Sequence, residues 1–528
     1  MTTDHSDFDA TAGVHESLWI DTSDRTTYDS LDGDRRVDVA VVGGGIAGVS
    51  TAFELEEAGQ TVALLERDRI LDGTTGRTTA KVTSLHGLVY DHLLNHFGVE
   101  KAKQYADANQ WAIDAIEDRV EAFDVDCGFE RAPATTYVEP GEDRQPVRRE
   151  AEAARRLGLP VRYEEDTELP YDVHAAVTFD EQAHFHPRRY LLALTEELAA
   201  GASDVYENTT VQNVDGGTPC RVETDHGTVT ADAVVVASHF PVVDDAFYFA
   251  RLSPKRSYVL AASLDDPTPD GMYYDPTEPY FSIRPHAGDD SLVLFGGQNH
   301  RTGHGGSTRE RYRALERQVR NRFAVDDVEY RWSTQDYVSV DHVPFVGSLA
   351  PQDPNVYVAT GFGGWGMTNA TAAGKVLADE IRDRENPWSK VYRPTRFNLG
   401  ASKSDLYSHN KHAMTHMVED YVEQRPELDL SAVQPGDGRV FEGETGEDPV
   451  AVYRDDDGEV HAVSAACTHM GCLVTWNDGD TSWDCPCHGS RFDVDGSVLD
   501  TPAIGDLAEL DVGRRPRIET PESPGEQQ

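Results

Sequence analysis

The chain has 528 residues, too many for one compact core, and predicts two or three domains. It carries 94 acidic against 47 basic residues, a net charge of −47, and only eight of the basic residues are lysine. That balance suits concentrated salt, where counterions screen self-repulsion, and it excludes nucleic acid as a partner, since a phosphate-binding face needs basic clusters.

The N-terminal residues 1–35 are polar and acidic and read as an extended arm. They lack the charged and apolar regions of a signal peptide, and Arg35-Arg36 is followed directly by a strand-like run rather than a signal-type apolar segment. No apolar run in the chain approaches the length of a bilayer span. A cytoplasmic protein is the expectation. With six cysteines in all, the chain is not a secreted disulfide scaffold.

Val37–Val42 is a short β-rich run ending at Gly43-Gly44-Gly45-Ile46-Ala47-Gly48. An amphipathic helix pattern follows to about Ala58, Gly59 stops it, and Thr61–Leu65 reads as a second strand closed by Glu66. In this strand–turn–helix–strand setting the glycines allow a tight turn and close approach of a pyrophosphate to backbone N–H groups. The acid at the second strand's end is placed for a ribose hydroxyl. The setting gives the glycine pattern its weight; alone it would be weak.

Later segments decide which dinucleotide. Leu71-Asp-Gly-Thr74-Thr75-Gly-Arg77-Thr78-Thr79-Ala80-Lys81, the strand-like Ala231–Ala237, and Gly361-Phe-Gly363-Gly364-Trp-Gly366-Met367-Thr368 together resemble the D-amino-acid oxidase-like family, which includes glycine and sarcosine oxidases. The resemblance covers about residues 15–390. It implies an α/β FAD-binding Rossmann-like domain with an antiparallel-sheet substrate domain, the latter drawn from about 90–180 and 250–335.

The resemblance also implies which residues hold FAD. They are Gly43, Gly45, Ile46, Ala47, Gly48, Glu66 and Arg67; Thr74, Thr75, Thr78, Thr79 and Ala80; Val211; and Gly361, Gly363, Gly364, Gly366, Met367 and Thr368. Some relatives carry a histidine in the second segment that bonds the flavin covalently. Arg77 occupies that place here, so FAD is expected to be dissociable.

In amino-acid-oxidising relatives an arginine after a tryptophan, ahead of an Asp-x-x-Pro-x-x-Gly segment, clamps the substrate carboxylate. Here that segment begins at Asp341, the tryptophan is Trp332, and counting places Asp336 at the arginine position. An acid there would favour a cationic amine, unless the residue lies in a solvated loop. Arg284 is the alternative clamp. No general base is identifiable.

Residues 391–425 read as a linker. His409, His412 and His416, with Glu419 or Asp420, would share one helical face there. They lack the Asp-x-x-His-x-x-x-x-His spacing of the mononuclear iron in Rieske oxygenases, and a solvated face is the commoner explanation.

From about 426 to 520 the chain turns strand-rich, with Arg439–Phe441 and Val450–Tyr453 between turns, and residues 521–528 read as a disordered tail. This part holds Cys467-Thr-His469 and, after fifteen intervening residues, Cys485-Pro-Cys487-His488. Two Cys-plus-His pairs are the ligand set of a Rieske [2Fe–2S] cluster, in which thiolates hold one iron and imidazoles the other. Structural zinc sites more often pair Cys-x-x-Cys with His-x-His.

The strings CTHMGC and CPCHGS resemble the Rieske proteins of cytochrome bc complexes, which implies a small all-β domain with ligands Cys467, His469, Cys485 and His488. The same resemblance pairs Cys472 with Cys487 as a disulfide; spacing alone leaves a free-thiol pair as the alternative. High-potential members have a serine and a tyrosine that hydrogen-bond the cluster sulfurs. Ser490 is present here, but Phe492 stands at the tyrosine position, which implies a lower potential.

Electron counting joins the two halves. A flavin takes a hydride from a small amine or amino acid, and a Rieske centre passes electrons singly to a ferredoxin, cytochrome or quinone system. Two rivals stay open: a flavin–Rieske reductase fed by NAD(P)H, and an oxygenase component.

Overall fold

The computed structural model describes residues 13–244, 246–289, 291–396, 401–402, 411, 425–443 and 449–512. The expected disordered tail and the His409, His412 and His416 face lie outside them.

Strand β1 (Arg35–Val42), helix α1 (Ile46–Glu57) and strand β2 (Val62–Leu65) form the expected strand–turn–helix–strand unit. β1 pairs in parallel with β2 on one side and with β3 (Thr228–Val236) on the other. Its last four residues and all four of β2 are buried, because both faces of a parallel sheet are covered. The sheet runs Phe345–Ser348, Val356–Thr360, β3, β1, β2, Asp204–Tyr206, with Val211–Asp215 and Cys220–Thr224 folded antiparallel onto β3. The sequence pattern suggests an amphipathic α1. In the fold nine of its twelve residues are buried, since the helix lies between the sheet and a second helix.

A nine-stranded sheet stands over this layer. Its core is four antiparallel strands in the order β7–β4–β6–β5, namely β4 (Leu252–Leu264), β5 (Phe281–Pro285), β6 (Leu292–Arg301) and β7 (Val325–Ser339). The one parallel pair joins Met272–Asp275 to Glu130–Val138. Tyr312, Leu315 and Val319 of the Thr308–Arg320 helix cover one face. The other face meets the dinucleotide-type layer. The segment 98–122, expected in the substrate domain, is instead a helix packed on α2 (Gly366–Ile381), with Asn109 Nδ2 donating to Asn369 Oδ1 at 3.3 Å.

Two other expectations are corrected. Residues 13–35 are not a free arm: Leu18–Asp21 is a helical turn, Trp19 is fully buried, and its indole N–H donates to Thr78 O at 2.6 Å. Three consecutive apolar residues in a polar stretch are enough to dock it. Residues 391–396 are not linker either. Tyr392 is buried, and Arg396 pairs with buried Asp341 at 2.8 Å.

The C-terminal part holds two antiparallel sheets. One has Asp437–Phe441, Val450–Arg454 and Val460–Ser464; the other has Thr475–Asn477, Ser482–Asp484, Arg491–Phe492 and Val498–Asp500. Val463, Leu473, Trp483 and Phe492 fill the space between them.

Candidate active site and metal centre

The turn after β1 is shaped by two glycines. Gly43 has φ +105°, and a Cβ there would lie 2.6 Å from Ala237 O. Gly48, in the first turn of α1, would put a Cβ 1.8 Å from Gly43 O. α1 opens on Gly45 with no side-chain cap of its own and no acid in its first turn, so the positive end of the helix carries no counter-charge and suits an anion. Glu66, at the end of β2, accepts from Gly44 N–H at 2.7 Å and from Asp68 N–H at 3.0 Å, which fixes the turn. Its burial raises its pKa, against these two hydrogen bonds.

The other flavin-type segments converge here. Thr75 Oγ1 accepts from Ile46 N–H at 3.0 Å, Thr78 Oγ1 accepts from Ala80 N–H at 3.0 Å, and Thr368 Oγ1 donates to Thr83 O at 2.9 Å. Thr74 Oγ1 donates to Gln335 O at 2.9 Å. Gly361, Gly363 and Gly364 all have positive φ and lead into α2, where Met367 is buried. Val211 opens its strand with a buried side chain. Arg67 turns away, to Asp68 at 2.8 Å and to Leu499 O at 3.0 Å. A glycine cradle, a helix N-terminus without an acid in its first turn and a carboxylate at the second strand's end fit FAD as an expected occupant.

Of the two weak substrate candidates, Asp336 lies in β7 and not in a solvated loop. It sits directly across from Lys255 of β4 and receives the Gly364 N–H. Burial raises its pKa, opposed by His239, Gly364 N–H and Lys255. Arg284 is buried on β5, where Nη2 donates to Phe185 O at 2.5 Å. The two do not meet. Asp336 registers through Lys255 with Arg301 of β6, while Arg284 pairs with Leu294, seven residues or about 24 Å along that strand. Beside the Gly361–Gly366 turn stands an aromatic wall that sequence reasoning missed. Trp365 stacks on His86 at 5.0 Å and meets Tyr274 at 5.2 Å, and Tyr274 meets Tyr280 at 5.4 Å.

In the C-terminal domain, Cys467 and Cys485 are buried free thiols, and Cys472 is bonded to Cys487. The Cys485 sulfur lies within 4.8 Å of both disulfide sulfurs. His469 and His488 meet edge to face at 5.1 Å. Contact with Cys485, working against burial and helped by the Ser490 hydroxyl, pulls Cys467 down to about 7 while Cys485 is pushed up. His469 Nδ1 is buried without a hydrogen-bond partner, as an imidazole awaiting a metal would be. Two thiols and two imidazoles at one end of a small β-domain fit a [2Fe–2S] centre.

Residues 38–380 match the family described as FAD dependent oxidoreductase, and residues 426–511 match the Rieske [2Fe-2S] domain. The chain belongs to the FAD-dependent oxidoreductases and carries a C-terminal Rieske domain. It is 35% identical over 502 residues to a putative Rieske 2Fe-2S iron-sulfur protein, YhfW, of Bacillus subtilis (strain 168), covering 94% of this chain and 98% of that one. It is 24% identical to a gamma-glutamylputrescine oxidoreductase of Escherichia coli (strain K12), over 67% of this chain and 86% of the relative. The fold is similar to that of glycine oxidase from Geobacillus kaustophilus, with TM-score 0.57, 19% identity, and 69% of this chain and 99% of that one covered.

The Rieske domain is docked on the flavoprotein domain through residues that sequence reasoning missed. Gln335 Nε2 donates to Gly489 O at 2.7 Å, and Arg301 Nη2 donates to Cys487 O at 3.0 Å. Phe240, four residues past β3, packs at 6.1 Å from the His469 ring and 5.2 Å from Tyr337; Phe249 packs at 5.7 Å from His488. Arg256 of β4 reaches Asp480 of the Rieske domain at 2.7 Å, with both side chains almost fully buried. These residues are scattered over 250 positions and share no spacing, so no sequence signal could have grouped them.

Proposed function

We propose that the protein is an FAD-dependent dehydrogenase for a small amine or amino acid, which passes electrons singly through its Rieske centre to a ferredoxin, cytochrome or quinone system. FAD, when bound, would accept two electrons as a hydride from a C–H bond next to nitrogen; the cluster, when bound, would carry one electron at a time. The glycine turn and α1 would hold the pyrophosphate, Glu66 the ribose, and Cys467, Cys485, His469 and His488 the cluster.

The observation that carries the reading is the span of Tyr337. Its carbonyl accepts from Gly363 N–H at 3.0 Å, in the flavin-type turn, and its hydroxyl lies 3.0 Å from the carbonyl of His488. One residue thus joins the two candidate centres, an arrangement suited to a relay. The amine class is supported by the similarity to gamma-glutamylputrescine oxidoreductase and glycine oxidase. The charge of −47 supports a high-salt cytoplasm. Among the described residues, no helix is long and apolar enough to cross a membrane.

The test is an anaerobic screen of amines and amino acids for flavin bleaching, repeated on His469→Ala. The variant should keep substrate-driven bleaching and lose reduction of a one-electron acceptor. Survival of both would refute the relay. Bleaching by NADH alone would favour the reductase alternative, and a third iron per chain the oxygenase one.

A further inference from the structure

The second ligand loop runs from Cys485 to Gly489, and four consecutive carbonyls along it each meet a donor from the flavoprotein domain. His304 Nε2 lies 3.0 Å from Pro486 O, and Arg301 Nη2 donates to Cys487 O at 3.0 Å. The Tyr337 hydroxyl lies 3.0 Å from His488 O, and Gln335 Nε2 donates to Gly489 O at 2.7 Å. A carbonyl only accepts, so the His304 ring carries its proton on Nε2. The Tyr337 proton is shared with Thr501 O, 2.6 Å away.

These donors are placed by the substrate sheet. Arg301 closes β6 and His304 lies in the turn beyond it; Gln335 and Tyr337, two apart on β7, share one face. Thr302 Oγ1 donates to Gln335 Oε1 at 2.7 Å, which turns the amide nitrogen toward Gly489. The surfaces meet at backbone distance: a Cβ on Gly303 would lie 2.7 Å from Pro486 Cα, and one on Gly489 2.5 Å from Pro254 Cβ.

Each donor aims the positive end of a dipole, and Arg301 a full charge, at the loop that carries Cys485 and His488. Arg301 acts electrostatically on Cys485, one of the cluster ligands. Docking also strips water from the loop, leaving Cys485 and His488 1% and 5% exposed. That water would have favoured a reduced cluster, which carries one more negative charge than the oxidised form. Fixed donors in a low-dielectric setting take its place, and a cation among them acts more strongly there than in water. Outer hydrogen bonds and nearby charge are among the levers that set an iron–sulfur potential.

We propose that the flavoprotein domain is part of the cluster's own site: Arg301, with His304, Gln335 and Tyr337, are positioning residues that hold the Cys485–Gly489 loop and raise the potential of the Rieske centre. The reverse follows by linkage. If docking favours reduction, reduction must tighten docking by the same factor. This goes beyond the dehydrogenase reading and holds whatever donor reduces the flavin.

The test is redox titration of the full-length protein carrying FAD and cluster, read in the cluster's optical and EPR spectra. Arg301→Met should shift the reduction equilibrium tenfold or more toward the oxidised form, about 59 mV for one electron. Arg301→Lys, which keeps the charge and loses the planar fork, should recover part of that shift. Iron and FAD content should stay at the wild-type level. Gln335→Leu and Tyr337→Phe remove neutral donors; each should lower the potential by less than Arg301→Met, and they keep the test open if that variant does not hold its cluster. Amide exchange in residues 485–492 should be severalfold slower with the cluster reduced than oxidised. An unchanged or higher potential in these variants overturns the proposal. So does a lysine variant no better than the methionine one, or exchange that ignores the cluster's oxidation state.

Discussion

Arg256 and Asp480 meet at 2.7 Å across the two domains, with 3% and 7% of their side chains exposed. The pair does not stand alone. Ser333 Oγ donates to Asp480 at 2.7 Å and Tyr312 at 3.0 Å, while Arg491 bonds Asp484 and Asp500, each at 2.9 Å. A buried network of this kind fixes a register between two surfaces more than it adds stability. It argues for a Rieske domain held in one place.

Breaking one side of the pair should undock the Rieske domain. Asp480→Ala takes the nearer carboxylate from the buried Arg256 guanidinium, leaving Asp500 at 3.7 Å, and is expected to cost up to about 3–5 kcal/mol, whereas a double change to apolar residues should cost much less. Calorimetry should then resolve two unfolding transitions where the parent shows one. Acid should act in the same direction. Burial alone would raise Asp480 and Asp500, but Arg256 and Arg491 outweigh it, holding Asp480 well below the ordinary range and Asp500 at about 2. Their contribution is complete above the unfolded carboxylate pKa of about 4 and is lost as pH falls toward 2. A docked state insensitive to pH between 4 and 2 would count against this network.

The cradle after β1 makes a separate prediction. In Gly48→Ala the new methyl would sit 1.8 Å from the Gly43 carbonyl, a clash with backbone that no rotamer relieves. The cost should reach or exceed the roughly 1–3 kcal/mol typical of overpacking. The protein should purify with little flavin and a full complement of iron. Equal flavin content in the variant would move the cofactor away from this turn.

The elements legible in the sequence are those whose causes are local. β1, the glycine turn and β2 follow from adjacent residues, and the Cys467–His488 strings carry their chemistry in their spacing. What was not legible depends on contacts between distant segments. Trp19 looked like part of a polar arm, because its acceptor, Thr78 O, is 59 residues away. Arg396 looked like linker for want of Asp341. Arg256 and Asp480 are 224 residues apart, and only the docked fold explains either. Arg284 could be named as a candidate, but its burial against Phe185 O appears only once β5 is placed.

Phe492 should lower the cluster's potential. Its ring is fully buried one strand from the ligand loop, and it has no hydroxyl to give a sulfur; Ser490 keeps its hydroxyl beside Cys467. Phe492→Tyr should raise the potential, and Ser490→Ala should lower it further, because hydrogen bonds to the sulfurs stabilise the reduced, more negative cluster. Redox titration followed by the cluster's optical spectrum measures both. An unchanged or lower value in the tyrosine variant would rule out the missing hydroxyl as the cause.

The Cys472–Cys487 bond ties together the two loops that carry the ligands, with 15 positions between its ends. A loop of that size contributes about 3 kcal/mol by chain entropy. The bond also braces both loops directly, since Cys467 N–H donates to Cys472 O at 2.9 Å and Arg301 holds Cys487 O. Cys472→Ala with Cys487→Ala should therefore lose iron on heating or in urea well before the parent, while flavin is retained. The same contrast should appear when the wild-type bond is reduced. If both forms released iron at the same denaturant concentration, the packing around Trp483 and Leu473 alone would have to hold the ligand loops in place.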